Sequence, residues 1–210
     1  DYIREESRAG RMGARLIAVV AESDGGRNYV SPILEHEKIA DIDEPLDCIN
    51  ADLPSKALGF RIQAYGMLKW KQLFTNRQLT TLSTLSELLP EVQQEVYQDA
   101  VMDSRDEKTL ADGGSGRKAY SEAVCVYLAF LIDKLTDYNS SICSWHNSGE
   151  KLRNTFGRQA IPMVWDFAEA NFFSNSSGCF DNMLEWVEKA LLNMPSKVAG
   201  KVKQKNAAED

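Results

Sequence analysis

Five leucines, Leu79, Leu82, Leu85, Leu88 and Leu89, recur at the three-to-four-residue spacing that lines up one face of a helix. This run constrains the fold more than any other. Its start is marked: Thr75 is followed three residues later by Gln78, the form of a capping box in which each side chain answers the other's backbone N–H. Pro90 kinks or ends the run. Residues 91–102 read as a second, polar helix. Residues 117 to about 144 read as the longest helix, with Val124, Tyr127, Leu128, Leu131 and Leu135 on its core face, flanked by Val126 and Phe130. Residues 180–192 carry another amphipathic pattern, with Met183, Leu184, Val187 and Leu191 inward and Pro195 beyond its end.

Extended structure is expected chiefly near the two ends. Residues 12–22 are rich in Leu, Ile and Val and predict a strand, with residues 28–31 returning as its hairpin partner across the turn at 23–27. Pro32 opens a short acidic helix to about Asp41. Residues 59–65 are expected to be extended, 161–170 helical after Pro162, 175–178 a turn, and 199–204 a last short strand. The fold class is therefore α+β, mostly helical, with a small β element at the N-terminus and a short strand at the C-terminus. The run Asp112-Gly113-Gly114-Ser115-Gly116 reads as a linker. It divides the chain into residues 1–112 and 113–210, as two units or two parts of one domain.

Composition narrows the class. At 210 residues the chain can bury a real core. Cys48, Cys125, Cys143 and Cys179 are dispersed, with no Cys-x-x-Cys pair and only His36 and His146 beside them, which argues against a zinc site and for a reducing, cytoplasmic setting. The longest strongly apolar run, residues 123–132, is about half of what a bilayer crossing needs, so no membrane association is expected.

The net charge of −7 speaks against nucleic acid, but its distribution does not. Between Asp52 and Glu87 there is no acid, while Lys56, Arg61, Lys69, Lys71 and Arg77 fall inside. Residues 151–165 hold three cations and no acid, and Lys197 to Lys205 holds four more. Such segregation makes a two-faced molecule whose basic face can meet phosphates. A set of solvated faces reads the same way.

Two segments concentrate chemistry. Residues 153–171 join Arg153 and Arg158, whose guanidinium forks suit phosphate or carboxylate, to Asn154, Gln159 and Asn171, whose amides match an adenine edge. Trp165 and Phe167 add flat surfaces. Residues 60–79 repeat the mixture with Arg61, Gln63, Tyr65, Lys69, Trp70, Lys71, Arg77 and Gln78. Matching composition and scarcity of acids predict that the two segments lie side by side in the fold. Each residue also has a structural reading: Tyr65 and Trp165 as aromatics at the core edge, Gln78 as a helix cap.

Together with residues 11–22 and the Tyr29-Val30-Ser31-Pro32 that follows, these blocks occur in an order that resembles one family. These are the large prokaryotic adenine-specific DNA methyltransferases that carry an N-terminal domain of unknown function and a zinc ribbon. The resemblance runs from about Gly10 to the C-terminus and is weak over 33–57 and 91–116. Phe172 departs from it, standing where the family's Ala-Asn-Pro-Phe has proline. The resemblance implies the inserted, target-recognition region of an S-adenosylmethionine-dependent DNA adenine N6-methyltransferase of restriction–modification or phage defence. Phosphates would be anchored by Lys69, Lys71, Arg77 and Arg158, bases read by Gln63, Gln78, Asn154 or Gln159, and a base stacked on Tyr65 or Trp70. Partners would be double-stranded DNA and the rest of the parent enzyme.

The catalytic motifs themselves are missing. The one Gly-rich run follows an acidic helical stretch and no strand, so it does not match a cofactor turn. None of the six prolines has a proline neighbour, so the Asp/Asn-Pro-Pro-aromatic turn that holds a flipped adenine is not here either. The chain therefore reads as a middle piece without catalytic, cofactor-binding or metal-binding residues of its own. A helical scaffold or partner-binding module, without direct DNA contact, is the competing reading. A nuclease or hydrolase ranks third, since no cluster of acids with His or Lys stands out.

Overall fold

The computed structural model describes residues 2–101 and 105–194, together with residues 206 and 208. Among these the chain is α+β and mostly helical, with two small antiparallel sheets. The helices are α1 (Tyr2–Arg8), α2 (Leu34–Ala40), α3 (Asn76–Glu87), α4 (Leu89–Asp99), α5 (Arg117–Tyr138) and α6 (Phe180–Leu192). One hairpin is β1 (Val19–Ser23) with β2 (Gly26–Val30), and the other is β3 (Ser144–His146) with β4 (Lys151–Arg153).

Local signals fix the helices. The Thr75 hydroxyl accepts the Gln78 N–H at 3.2 Å, and the Gln78 side-chain carbonyl accepts the Thr75 N–H at 2.9 Å, so α3 starts where the reciprocal cap places it. Leu79 and Leu82 are buried. Pro90 falls in the first turn of α4, where its missing N–H costs nothing, and the chain breaks between α3 and α4 just before it. The longest helix ends six residues before the expected Ser144. Asn139 stops it by turning its side-chain amide back to the Leu135 carbonyl at 2.9 Å and across to that of Gly178 at 3.1 Å. In α6, Met183 is buried and Leu184 and Val187 pack beside it, but Leu191 lies at the rim, 39% exposed.

Two apolar clusters hold these elements. Ile62 and Ile161 are essentially inaccessible and pack with Leu53, Leu73 and Ile142. Leu131 and Leu135 of α5 meet Leu82, Phe172 and Met183 in the second. Phe74 touches both clusters. Fully burying one such side chain contributes about 1.5–3 kcal/mol. Each cluster draws residues from both sides of position 112.

Several expectations are corrected. The strand foreseen over 12–22 is confined to Val19–Ser23, because the five residues of β2 can pair no more of it, and Ile17 stands 75% exposed. Residues 59–65 are not extended: Ile62–Tyr65 forms a 3-10 turn, stopped by Gly66 at φ 84°. Residues 161–170 are not helical. Phe167 instead bridges Ser144, and the Ala168 N–H donates to the Cys143 carbonyl at 2.8 Å, so long-range pairing takes the groups a helix would have used. The glycine run at 112–116 is a tight turn rather than an open linker. Gly114 donates to the Thr109 carbonyl at 2.9 Å, and a Cβ there would sit 2.3 Å from the Lys108 carbonyl oxygen. It leads directly into α5. The last expected strand, 199–204, and the Lys197–Lys205 cations lie outside the described residues. Among the described residues no helix is long and apolar enough to cross a membrane.

Candidate nucleic-acid interface

The two chemistry-bearing segments do meet. The Arg61 N–H donates to the Ile161 carbonyl at 2.9 Å. The Tyr65 and Trp165 rings stand edge to face with centroids 5.2 Å apart. Gly59, at φ 81°, lets its turn lie directly on the other segment: a Cβ there would be 3.1 Å from both Ala160 Cβ and the Gln159 carbonyl oxygen. Side-by-side packing, expected from composition, is what the fold contains.

Most of the named side chains are engaged inside the chain. Gln78 is fully buried and caps α3. Gln63 donates its amide to the Pro54 carbonyl at 2.6 Å, and the Lys69 ammonium reaches the Asn50 side-chain oxygen at 2.9 Å. Trp70 stands edge to face with Phe60 at 6.4 Å and packs on the first apolar cluster. Tyr65 is clamped between Trp165 and α1, whose Arg4 lies 5.6 Å over its ring. Asn154 donates to the Asp137 carboxylate at 2.8 Å.

The charges of Lys71 and Arg77 are met by acids far away in sequence. Lys71 pairs with Glu44 at 2.5 Å, a contact that holds its ammonium above the usual lysine range. Arg77 takes both Glu169 oxygens at 2.7 and 2.8 Å and also donates to the Ala40 carbonyl. Glu169 raises its guanidinium further. Lys69, Lys71, Arg77 and Arg158 therefore do not form one unpaired positive face. Absence of acids nearby in sequence did not mean absence of acids nearby in space.

Four candidates remain at the surface: Arg61, Arg153, Arg158 and Gln159 are all exposed. They sit around the loop 154–160, which the end of α5 holds down. The Asp137 carbonyl accepts both the Thr155 N–H, at 2.8 Å, and its hydroxyl, at 2.7 Å. The Asp137 carboxylate accepts from Asn154 and, at 3.0 Å, from the Phe156 N–H. Thr155 is buried against Ser140 at 2.7 Å. The Arg153 guanidinium lies beside Gly157, its Nε 3.5 Å from where a Cβ would stand, an ordinary van der Waals separation. Arg153 thus lies beside the loop that carries Arg158, and the backbone of Arg61 is tied to the residue after that loop, Ile161.

Sequence reasoning missed three contributors. Asp137 organises the loop, and nothing in its helical setting announces that. Lys151 shares the outer face of β4 with Arg153, while Leu152 is buried between them. The period-two pattern of residues 151–153 was the available signal. Phe156 stands 58% exposed at the loop, a flat apolar surface beside the cations. The arrangement offers fixed positive charge, one free amide and one exposed ring. That suits phosphate and base-face contact. Among the described residues no group of three or more His, Cys, Asp or Glu side chains is placed to hold a metal ion. No protein-family model, curated protein or solved structure matches the chain.

Proposed function

We propose that this chain is the inserted, target-recognition region of an S-adenosylmethionine-dependent DNA adenine N6-methyltransferase, and that it holds duplex DNA without transferring methyl groups itself. The observation that carries the reading is the exposed cluster of Arg61, Arg153, Arg158 and Gln159, built where two segments about ninety residues apart pack together. Phosphate contacts from cations on an anchored loop fix the register and orientation of a bound duplex. The anchoring of loop 154–160 on Asp137 supplies that hold. Lys69, Lys71 and Arg77 serve in this reading as structural ties. All four cysteines are free, in keeping with a cytoplasmic enzyme.

A second reading, a partner-binding module without DNA contact, is favoured by the internal neutralisation of Lys71 and Arg77. A salt series separates the two. Fluorescence anisotropy with duplex DNA should show affinity falling steeply as salt rises. Arg153→Ala and Arg158→Ala should each flatten the slope by about one. Absence of binding at low salt, or slopes unchanged in both folded variants, would favour the module. Isothermal titration with S-adenosylmethionine should give no heat. A Gly-rich strand turn encoded upstream and Asp-Pro-Pro-Tyr encoded downstream would identify the parent enzyme.

A further inference from the structure

A cleft of about 590 Å³ opens between α3 and α5, on residues the DNA reading does not use. Its floor is apolar: Trp70, Phe74, Leu79, Leu82 and Ile132. Its rim carries three carboxylates, Asp47, Glu87 and Asp133, from three separate elements, and no cation lines it. None of the three has an ion-pair partner among the described residues. What distinguishes the cleft is that its three carboxylates surround an apolar floor with no cation in the lining.

We propose that this cleft is a docking groove for a basic amphipathic helix of a partner protein. The length fits: the lining residues of α3 run from Leu79 to Glu87, about 12 Å or two turns at the helical rise. That span takes apolar anchors at i, i+3 or i+4, and i+7 of an incoming helix. Flanking lysines or arginines on that helix would meet the rim acids, which a neutral or acidic helix would leave desolvated and unpaired. Ile49, 61% exposed, lines the cleft as well, and Leu46, three residues before it in the chain, is fully exposed.

The test uses the full chain and a fluorescein-labelled synthetic helix of leucine and lysine in amphipathic order. A scrambled peptide of the same composition controls for attraction to an acidic protein. The ordered peptide should bind at least ten-fold more tightly than the scrambled one. Ser83→Arg, which fills the groove, should weaken it ten-fold or more. Should that variant misfold, the exposed pair Glu87→Lys with Asp133→Lys should do the same with the circular dichroism spectrum unchanged. Equal affinity for the two peptides, or indifference to both sets of changes, overturns the proposal. Self-association of the chain that Ser83→Arg abolishes would assign the groove to a second copy and overturn it too.

Discussion

The guanidinium of Arg77 grips both carboxylate oxygens of Glu169 across ninety-two positions of sequence. The pair ties the first turn of α3 to the irregular segment after Ile161, and the Ala40 carbonyl adds a third strand to the knot. Both side chains remain partly exposed, so the pair is worth about 1 kcal/mol, toward the upper end of what solvent screening allows. Arg77→Ala should lower the melting temperature by roughly 2–4 °C for a chain of this size. Arg77→Lys should not restore it, because an ammonium cannot span two oxygens in a fork. Thermal unfolding followed by circular dichroism measures both.

The cap of α3 should be measurable in the same way. Thr75→Ala removes the acceptor for the Gln78 N–H and should cost about 1 kcal/mol. Gln78→Ala should cost more, about 2 kcal/mol, since it also empties a fully buried position and leaves the Thr75 N–H without its partner. Urea unfolding with an unchanged slope would give both differences directly.

Asp106 predicts a pH response. Its carboxylate accepts from the Ser115 N–H at 2.8 Å, the Ser115 hydroxyl at 3.0 Å and the Lys108 N–H at 3.1 Å, which together hold it below the usual aspartate range. A depressed folded-state value means the anchor acts fully above the unfolded value, about 3.9. It is lost as pH falls through the folded value. The amide signals of Ser115 and Lys108 should therefore titrate with a midpoint below about 3.9. At neutral pH, Asp106→Ala should speed tryptic cleavage after Lys108.

Asp137 gives a prediction for the surface cations. Asp137→Ala removes the acceptors of Asn154 and the Phe156 N–H while leaving the backbone bonds to Thr155. The Phe156 amide should exchange about ten-fold faster, the loss of about 1.4 kcal/mol of local protection. If the loop presents Arg158 to DNA, affinity should fall as well. Unaltered exchange at Phe156 would show that Thr155 alone holds the loop.

The parts of this fold written in short-range pattern were legible. Thr75 with Gln78, the leucine spacing of α3, the proline that opens α4 and the stripe of α6 each act within a few residues. What could not be read depends on distant partners. Phe167 forgoes a helix because Ser144 is waiting beside it, and β3 is recognisable only through its pairing with β4. The same applies to the site. The meeting of the two aromatic and amide segments was visible in their composition. The charge on Lys71 and Arg77 was decided by Glu44 and Glu169, and local acid counts carry no record of those.

Ile62 imposes an order of events during synthesis. Its burial requires Ile142 and Ile161, so residues around it emerge from the ribosome long before their cover exists. At about 5–20 residues per second, the hundred residues between Ile62 and Ile161 take about 5–20 s to appear. For that interval Leu53, Ile62 and Leu73 are sticky surface on a nascent chain. The first half of this protein should thus be a client for chaperones until its second half arrives.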